Sequence, residues 1–390
     1  MAKNNSFLAK PVNSFYILSV TSIALSILGL IMVFSASSIH SIETRGSSLA
    51  IVARQALFLL LSIPIAIFIA RVPVFGLKKI ARIGLVISGL LLLSLRIPGI
   101  GKNVNGNTNW ISLGIVDVQP SELVKFLMIL WASLLLARQL DQGKERTNVF
   151  FLIAPGFAIV MLLIMAGRDL GTTCVVAAIL GGLLFVSGVE LKLLGWFTAI
   201  SSLLLAFFIA TAGYRAQRFL VVLNPFAEGD YKNAGWQPAH SLLGLASGGL
   251  FGVGLGGSRQ KWGNLAEAHT DFIFSVIGEE LGLVGTLAVL ILLAGLLLSI
   301  FKISLRAADP FSRFACAGIG TWFAIQTILN IGSTTSLLPV VGVTLPLVSY
   351  GGSALVATFL GIGFVLGTAL RDPEVLKDVK IAIEKRRLHS

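Results

Sequence analysis

The stretch EAHTDFIFSVIGEE, Glu267 to Glu280, places four acids and a histidine beside a run apolar enough to enter a membrane. A carboxylate held at such a boundary loses hydration. Its pKa rises and it becomes a better general base near neutral pH. Read as the start of a helix at about 100° per residue, the stretch sets Asp271, Ser275 and Gly278 on one face, with Glu279 about 80° from Asp271 and Glu280 about 180° away. Both glutamates cannot face lipid cheaply and are read as bundle-facing structural acids. His269 is either a hydrogen-bonded structural histidine or a pH-sensitive group.

Other polar groups collect around the same chemistry. In QPSELVK, Pro120 suits a first helical turn, Glu122 its positive end, and Lys125 follows Glu122 by three residues on the same face. Two readings stand: an intramembrane ion pair that fixes packing, or a cation poised for an anionic headgroup with Glu122 as its orienter. In GRDLGTT, Arg168 and Asp169 form a tight turn, either as surface residues or with Asp169 turned inward toward Lys125 or a substrate. The long segment 213–271 brings Arg215, Arg218, Arg259 and Lys261 to one surface, where they bind an anionic substrate group or grip lipid phosphates. Its GVGLGG formally matches a dinucleotide fingerprint but lacks the strand–turn–helix context, so close backbone approach is the better reading. Finally, NIGSTTSLLPVVGVTLPLVSYGGSA, which contains Ser349, interrupts its helices with prolines and glycines. Non-helical backbone at membrane depth implies a wall that is buried or lines a wet cavity.

The elements that must position these groups follow from composition. The chain is 55% hydrophobic and only 12% charged, with mean hydropathy +0.90, which excludes an ordinary soluble domain. Continuous apolar runs argue for an all-α polytopic membrane protein and against a β-barrel. Ten spans are expected, near 15–36, 50–70, 79–97, 119–138, 149–167, 172–189, 192–212, 272–300, 312–335 and 344–370. With the N-terminus in the cytoplasm, nineteen Lys/Arg fall in cytoplasmic segments and nine outside, so both termini are expected in the cytoplasm. The net charge of +12 is then a topology signal rather than a nucleic-acid footprint. The domain reading is a tail over 1–14, a transmembrane domain over 15–370 with its large extracytoplasmic loop at 213–271 between helices seven and eight, and a cytoplasmic tail over 371–390. Cys174 and Cys316 give no disulfide framework.

No nucleotide-binding or nucleophile-elbow motif is present, and the polar clusters face outward. A bond-forming reaction there needs a substrate already activated. A lipid-linked pyrophosphate sugar fits, with its lipid on apolar helices and its pyrophosphate on Lys and Arg. A transporter would present similar features.

The motifs MVFSASS, QPSELVK, RDLGT, RFLVVLNPF, SGGLFGVGLGGSRQKWGNLAEAHTDFIFSVIGEELGLVG and LLPVVGVTLPLVSYGGS together resemble the SEDS family (shape, elongation, division and sporulation) over nearly the whole chain. The resemblance leans toward the division branch. It implies ten spans and polymerisation of lipid II into peptidoglycan strands, with undecaprenyl pyrophosphate leaving and the linkage inverting in a single displacement. It also implies Asp271 as the essential acid, and Lys125, Glu122 and Asp169 lining a central cavity. It further implies a class B penicillin-binding protein transpeptidase and other divisome proteins as partners, residence in the bacterial cytoplasmic membrane at the septum, and catalysis with or without a divalent cation (Mg or Mn). A lipid II flippase or a non-catalytic scaffold is the alternative. Three departures from the family pattern concern loop geometry: Asn109 replaces an arginine, Arg168 replaces the proline before DLG, and NLAE replaces YLPE.

Overall fold

A computed structural model describes residues 10–104, 107–112, 114, 117–143, 148–211 and 213–388. The helices are α1 (Pro11–Arg45), α2 (Ala50–Arg71), α3 (Val74–Ser94), α4 (Pro120–Asp141), α5 (Asn148–Ala166), α6 (Leu170–Val186), α7 (Leu191–Ala210), α8 (Gly213–Leu220), α9 (Trp236–Ser247), α10 (Ile273–Arg306), α11 (Pro310–Thr334), α12 (Gly352–Leu370) and α13 (Pro373–Leu388). Eight of them, α1, α2, α4, α5, α7, α10, α11 and α12, are long and apolar enough to cross a bilayer. α6 is apolar but has 17 residues, and α3 carries Lys78, Lys79 and Arg82 in its first half. The chain is a multi-pass membrane protein.

One expected span starts later for a physical reason, and two of the loops carry structure of their own. The last span begins at Gly352, not near residue 344, because Pro346 cannot donate within a helix and Gly342 and Leu347 stand at positive φ. The loop after α3 is not structureless: β1 (Gly101–Val104), β2 (Asn107–Ser112) and β3 (Asp117–Val118) form an antiparallel sheet in the order β1-β2-β3, fastened by a Lys102–Asp117 ion pair at 2.8 Å. The segment 213–271 holds α8 and α9 and folds back against the bundle.

The middle of the bundle is α4, α11 and α12. α4 packs on α3 and α11, and α12 on α2. Trp322, Phe311, Phe323 and Phe364 are fully buried there. By contrast α7 has no buried residue and touches mainly α6 and α8.

A break in α10 explains the glycine-rich segment. Gly282 leaves helical geometry (φ 68, ψ −164), so the bonds that would join Leu283 N to Glu279 O and Val284 N to Glu280 O are missing. The segment after α9 replaces all four partners. Val253 N donates to Glu279 O at 2.9 Å and Gly254 N to Glu280 O at 3.0 Å, while Leu283 N donates to Gly249 O at 2.9 Å and Val284 N to Leu250 O at 3.1 Å. Such contact between two main chains needs glycine: a Cβ on Gly248 would collide with the Gly278 carbonyl, and one on Gly252 with the Glu280 carbonyl.

Candidate active site

The turn that carries Asp271 is built from its own chain and pinned from outside. Glu267 adopts a left-handed conformation (φ 56), and its carbonyl accepts from Thr270 N at 3.1 Å and Phe272 N at 3.2 Å. Three consecutive carbonyls are then held by the chain from α11 onward. Tyr350 N donates to His269 O at 2.9 Å, Ser349 Oγ to Thr270 O at 2.6 Å, and Asn330 Nδ2 to Asp271 O at 2.8 Å. The main chain is fixed, yet the Asp271 carboxylate takes no hydrogen bond or ion pair among the described residues. Burial first, and the Glu267 charge second, push its pKa up to about 7, against the opposing pull of Arg218.

Asp271 adjoins a small polar cavity. Its Oδ2 lies 3.5 Å from where a Cβ on Gly342 would be, and Gly342 lines a cavity of about 30 Å³ together with Gln119, Glu122, Lys125, Thr172 and Gln326. That is room for one or two waters, since one probe sphere takes about 10–15 Å³. Lys125 is buried, 2.8 Å from Glu122 Oε1 and 5.0 Å above the Trp322 ring; Glu122 Oε2 is buried without a partner among the described residues. Asp169 caps α6, accepting from Thr172 N at 2.9 Å and Thr172 Oγ1 at 2.8 Å, and takes a 3.3 Å bond from Gln119 Nε2. Asp169 therefore turns inward, and burial raises its pKa. A roomier cavity, about 360 Å³, lies at the opposite end of the bundle beside Asp309 and Arg371 and contains none of these residues.

The remaining predicted residues divide. Arg218 is exposed on α8 and lies close enough to Asp271 to act on its charge. Arg215 falls in α8, but its side chain lies outside the described residues. Arg259 is exposed, and its main-chain N–H serves Glu279 Oε1 at 2.9 Å. Lys261 is buried and pairs with Glu280 Oε1 at 3.3 Å while donating to Gly256 O at 2.7 Å. Glu280 also accepts from Ser35 Oγ, and Glu279 from Ser258 Oγ. Lys261 thus belongs to a clasp joining α1, α10 and the loop. Ser349 spends its hydroxyl on the main chain, donating to Thr270 O and accepting from Leu345 N at 2.9 Å. The His269 ring stacks on His40 (5.6 Å) and meets Tyr350 at a tilt (5.4 Å); burial holds its pKa down to about 4, so it is neutral at pH 7.

Sequence reasoning passed over Asn330, Gln119, Gln326 and Gly342. An asparagine inside the apolar run of α11 was the available signal. Among the described residues no three His, Cys, Asp or Glu side chains converge to hold a metal ion.

The model of the cell cycle protein family of FtsW, RodA and SpoVE matches residues 16–372. This chain belongs to that family. It is 38% identical over 372 residues to the probable peptidoglycan glycosyltransferase FtsW of Mycobacterium tuberculosis, covering 95% of this chain and 70% of that protein. It is 38% identical to the namesake from Nitrosomonas europaea, covering 87% and 88%. Among solved structures it is similar to a chain of a peptidoglycan synthase complex that coordinates polymerization and crosslinking (TM-score 0.73, 27% identity, 91% of this chain and 97% of that one). It is also similar to the rod shape determining protein RodA of Thermus thermophilus (TM-score 0.66, 28% identity, 93% and 97%). The Arg168 turn stands at φ 65, a value closed to proline, whose ring holds φ near −65°.

Proposed function

We propose that the chain is a peptidoglycan glycosyltransferase that polymerises lipid II during septal wall synthesis. The observation that carries the reading is the Asp271 carboxylate, which takes no hydrogen bond or ion pair among the described residues, on a pinned main chain, with burial pushing its pKa up to about 7. Such a group is half ionised near neutral pH, where a general base works best. Asp271 takes the proton of the acceptor sugar's 4-hydroxyl as that oxygen attacks the anomeric carbon of the donor. The new C–O bond forms as the bond to undecaprenyl pyrophosphate breaks, and the anomeric centre inverts without a covalent intermediate.

Charge developing on the leaving pyrophosphate needs cations. Arg218 is the exposed candidate beside Asp271. Lys125, held by Glu122, stabilises charge from within the cavity wall. Any divalent cation would be brought by the pyrophosphate oxygens. The surrounding assignment is a ten-span bundle in the bacterial cytoplasmic membrane, with both termini cytoplasmic and α3 and α6 completing the ten. Its partners are a class B penicillin-binding protein that crosslinks the strands and other divisome proteins. The likeness to a chain of a synthase complex supports the first of these.

The test is Asp271→Asn, purified and reconstituted with lipid II, with glycan length and lipid translocation scored in the same vesicles. Loss of polymer is expected. Parent-like polymerisation would sink the assignment, and translocation without polymer in the parent would favour a flippase.

A further inference from the structure

We infer that Asn330 is a positioning residue for Asp271, acting at the centre of a clamp completed by Ser349 and the Tyr350 N–H. This rests on the reading of Asp271 as the base.

Asn330 is 1% exposed, in the outer half of α11. Its Nδ2 gives both hydrogens to main-chain carbonyls, Asp271 O and Val343 O, each at 2.8 Å. Two carbonyl partners require the nitrogen at that position, so the amide orientation is fixed. Its Oδ1 is buried with no partner among the described residues. A buried amide that leaves its acceptor unsatisfied costs free energy. The residue is therefore held there for its two donors.

Those donors join the two surfaces that decide where the carboxylate sits. One is the main chain of Asp271. The other is the segment after α11, in which Val343 follows Gly342, the residue against which Asp271 Oδ2 rests. Gly342 stands at φ 71, a backbone bend that favours glycine and brings the segment into contact with the carboxylate. Ser349 and Tyr350 extend the same hold to Thr270 and His269. The result is a base whose main-chain carbonyl is held and whose carboxylate takes no hydrogen bond among the described residues, the arrangement that delivers geometry without lowering basicity.

The charged and titratable groups facing Asp271 are Glu267 and His269 on its own turn, Arg218 from α8, and Asp169 at the start of α6, with the Glu122–Lys125 pair behind it on α4. From α11 and the segment after it come uncharged groups, with Tyr350 the sole titratable one among the described residues. An Asn330→Asp exchange therefore changes the charge on a face that has none.

The experiment compares the parent, Asp271→Asn, Asn330→Ala and the isosteric Asn330→Asp, each purified with its apparent Tm and assayed for lipid II polymerisation across pH. In folded Asn330 variants kcat is expected to fall about tenfold to a hundredfold with KM within about threefold, the pattern of a misplaced base. In Asn330→Asp the acid limb of the pH–rate profile moves up by about one unit, because a second acid is placed against the Asp271 main chain. A folded Asn330 variant with parental kcat and acid limb overturns the inference while Asp271→Asn, if inactive, leaves the proposed function standing. Polymerisation by Asp271→Asn removes Asp271 as the base, and with it the reading on which this inference rests. If neither Asn330 variant folds, Ser349→Ala takes the test: reduced kcat at constant KM supports the clamp, and parental kcat overturns it.

Discussion

Glu267 and Asp271 bracket one closed turn, in which the carbonyl of the first accepts main-chain N–H bonds from Thr270 and Phe272 while the carboxylate of the second takes no hydrogen bond among the described residues. The Glu267 carboxylate is itself held by Thr270 Oγ1 at 2.8 Å, so its charge has a fixed place near Asp271. Activity is expected to rise with pH through about 7 as Asp271 ionises. In Glu267→Gln the Thr270 bond survives but the charge does not, so the Asp271 pKa falls and the acid limb moves to lower pH. A pH series of polymerisation rates checks this; an unmoved limb would remove Glu267 from the tuning.

The raised pKa of Asp271 also has a consequence for stability. Between its unfolded value of 3.8 and about 7, the native state holds a proton that the unfolded chain has released. Stability therefore declines as pH rises through this window. Asp271→Asn removes the buried charge. Its apparent Tm should exceed the parent's above pH 7, and the gain should vanish below about pH 4, where both states of the parent are protonated. Thermal melts at the two pH values decide it.

Lys125 and Glu122 form a pair sealed inside α4's packed face. Lys125→Met leaves Glu122 buried and uncompensated, at a cost of about 3–5 kcal/mol. Adding Glu122→Gln should recover much of that stability without restoring polymerisation. A double-mutant cycle on Tm, read beside activity, separates the two effects. Recovery of both would make the pair purely structural.

The glycine segment gives a contrast between two alanines. Gly248→Ala drives a Cβ into the Gly278 carbonyl and should lower stability by several kcal/mol or abolish folded yield. At Gly254 a Cβ meets nothing within 4 Å, and only its φ of 94 opposes substitution, so Gly254→Ala should cost about 1–2 kcal/mol. Comparable losses at both sites would refute the tight main-chain contact.

Much of the architecture was legible because hydropathy and the cost of unpaired backbone in lipid leave few choices. The apolar runs near 50–70, 119–138 and 192–212 reappear as α2, α4 and α7 within a few residues. The pairing of Lys125 with Glu122 followed from their spacing alone. What sequence could not yield was the partner of each loop. Lys261 reads as a cation for substrate until Glu280 and Gly256 are seen to enclose it, and Ser349 reads as a ligand until its hydroxyl is found on Thr270. Asn330 is one polar residue in an apolar helix; its role depends on Asp271, 59 residues earlier in the chain, which periodicity does not encode.

The broken turn of α10 has a mechanical meaning. Four main-chain groups at Glu279, Glu280, Leu283 and Val284 find partners in the segment 249–254. Pulling that segment away would bare all four, at several kcal/mol each in an apolar medium. The stretch after α9 and the head of α10 are thus spliced into one body, and a load applied to the segment 213–271, by a bound protein or a growing strand, is transmitted to the turn that carries Asp271 instead of being absorbed as slack.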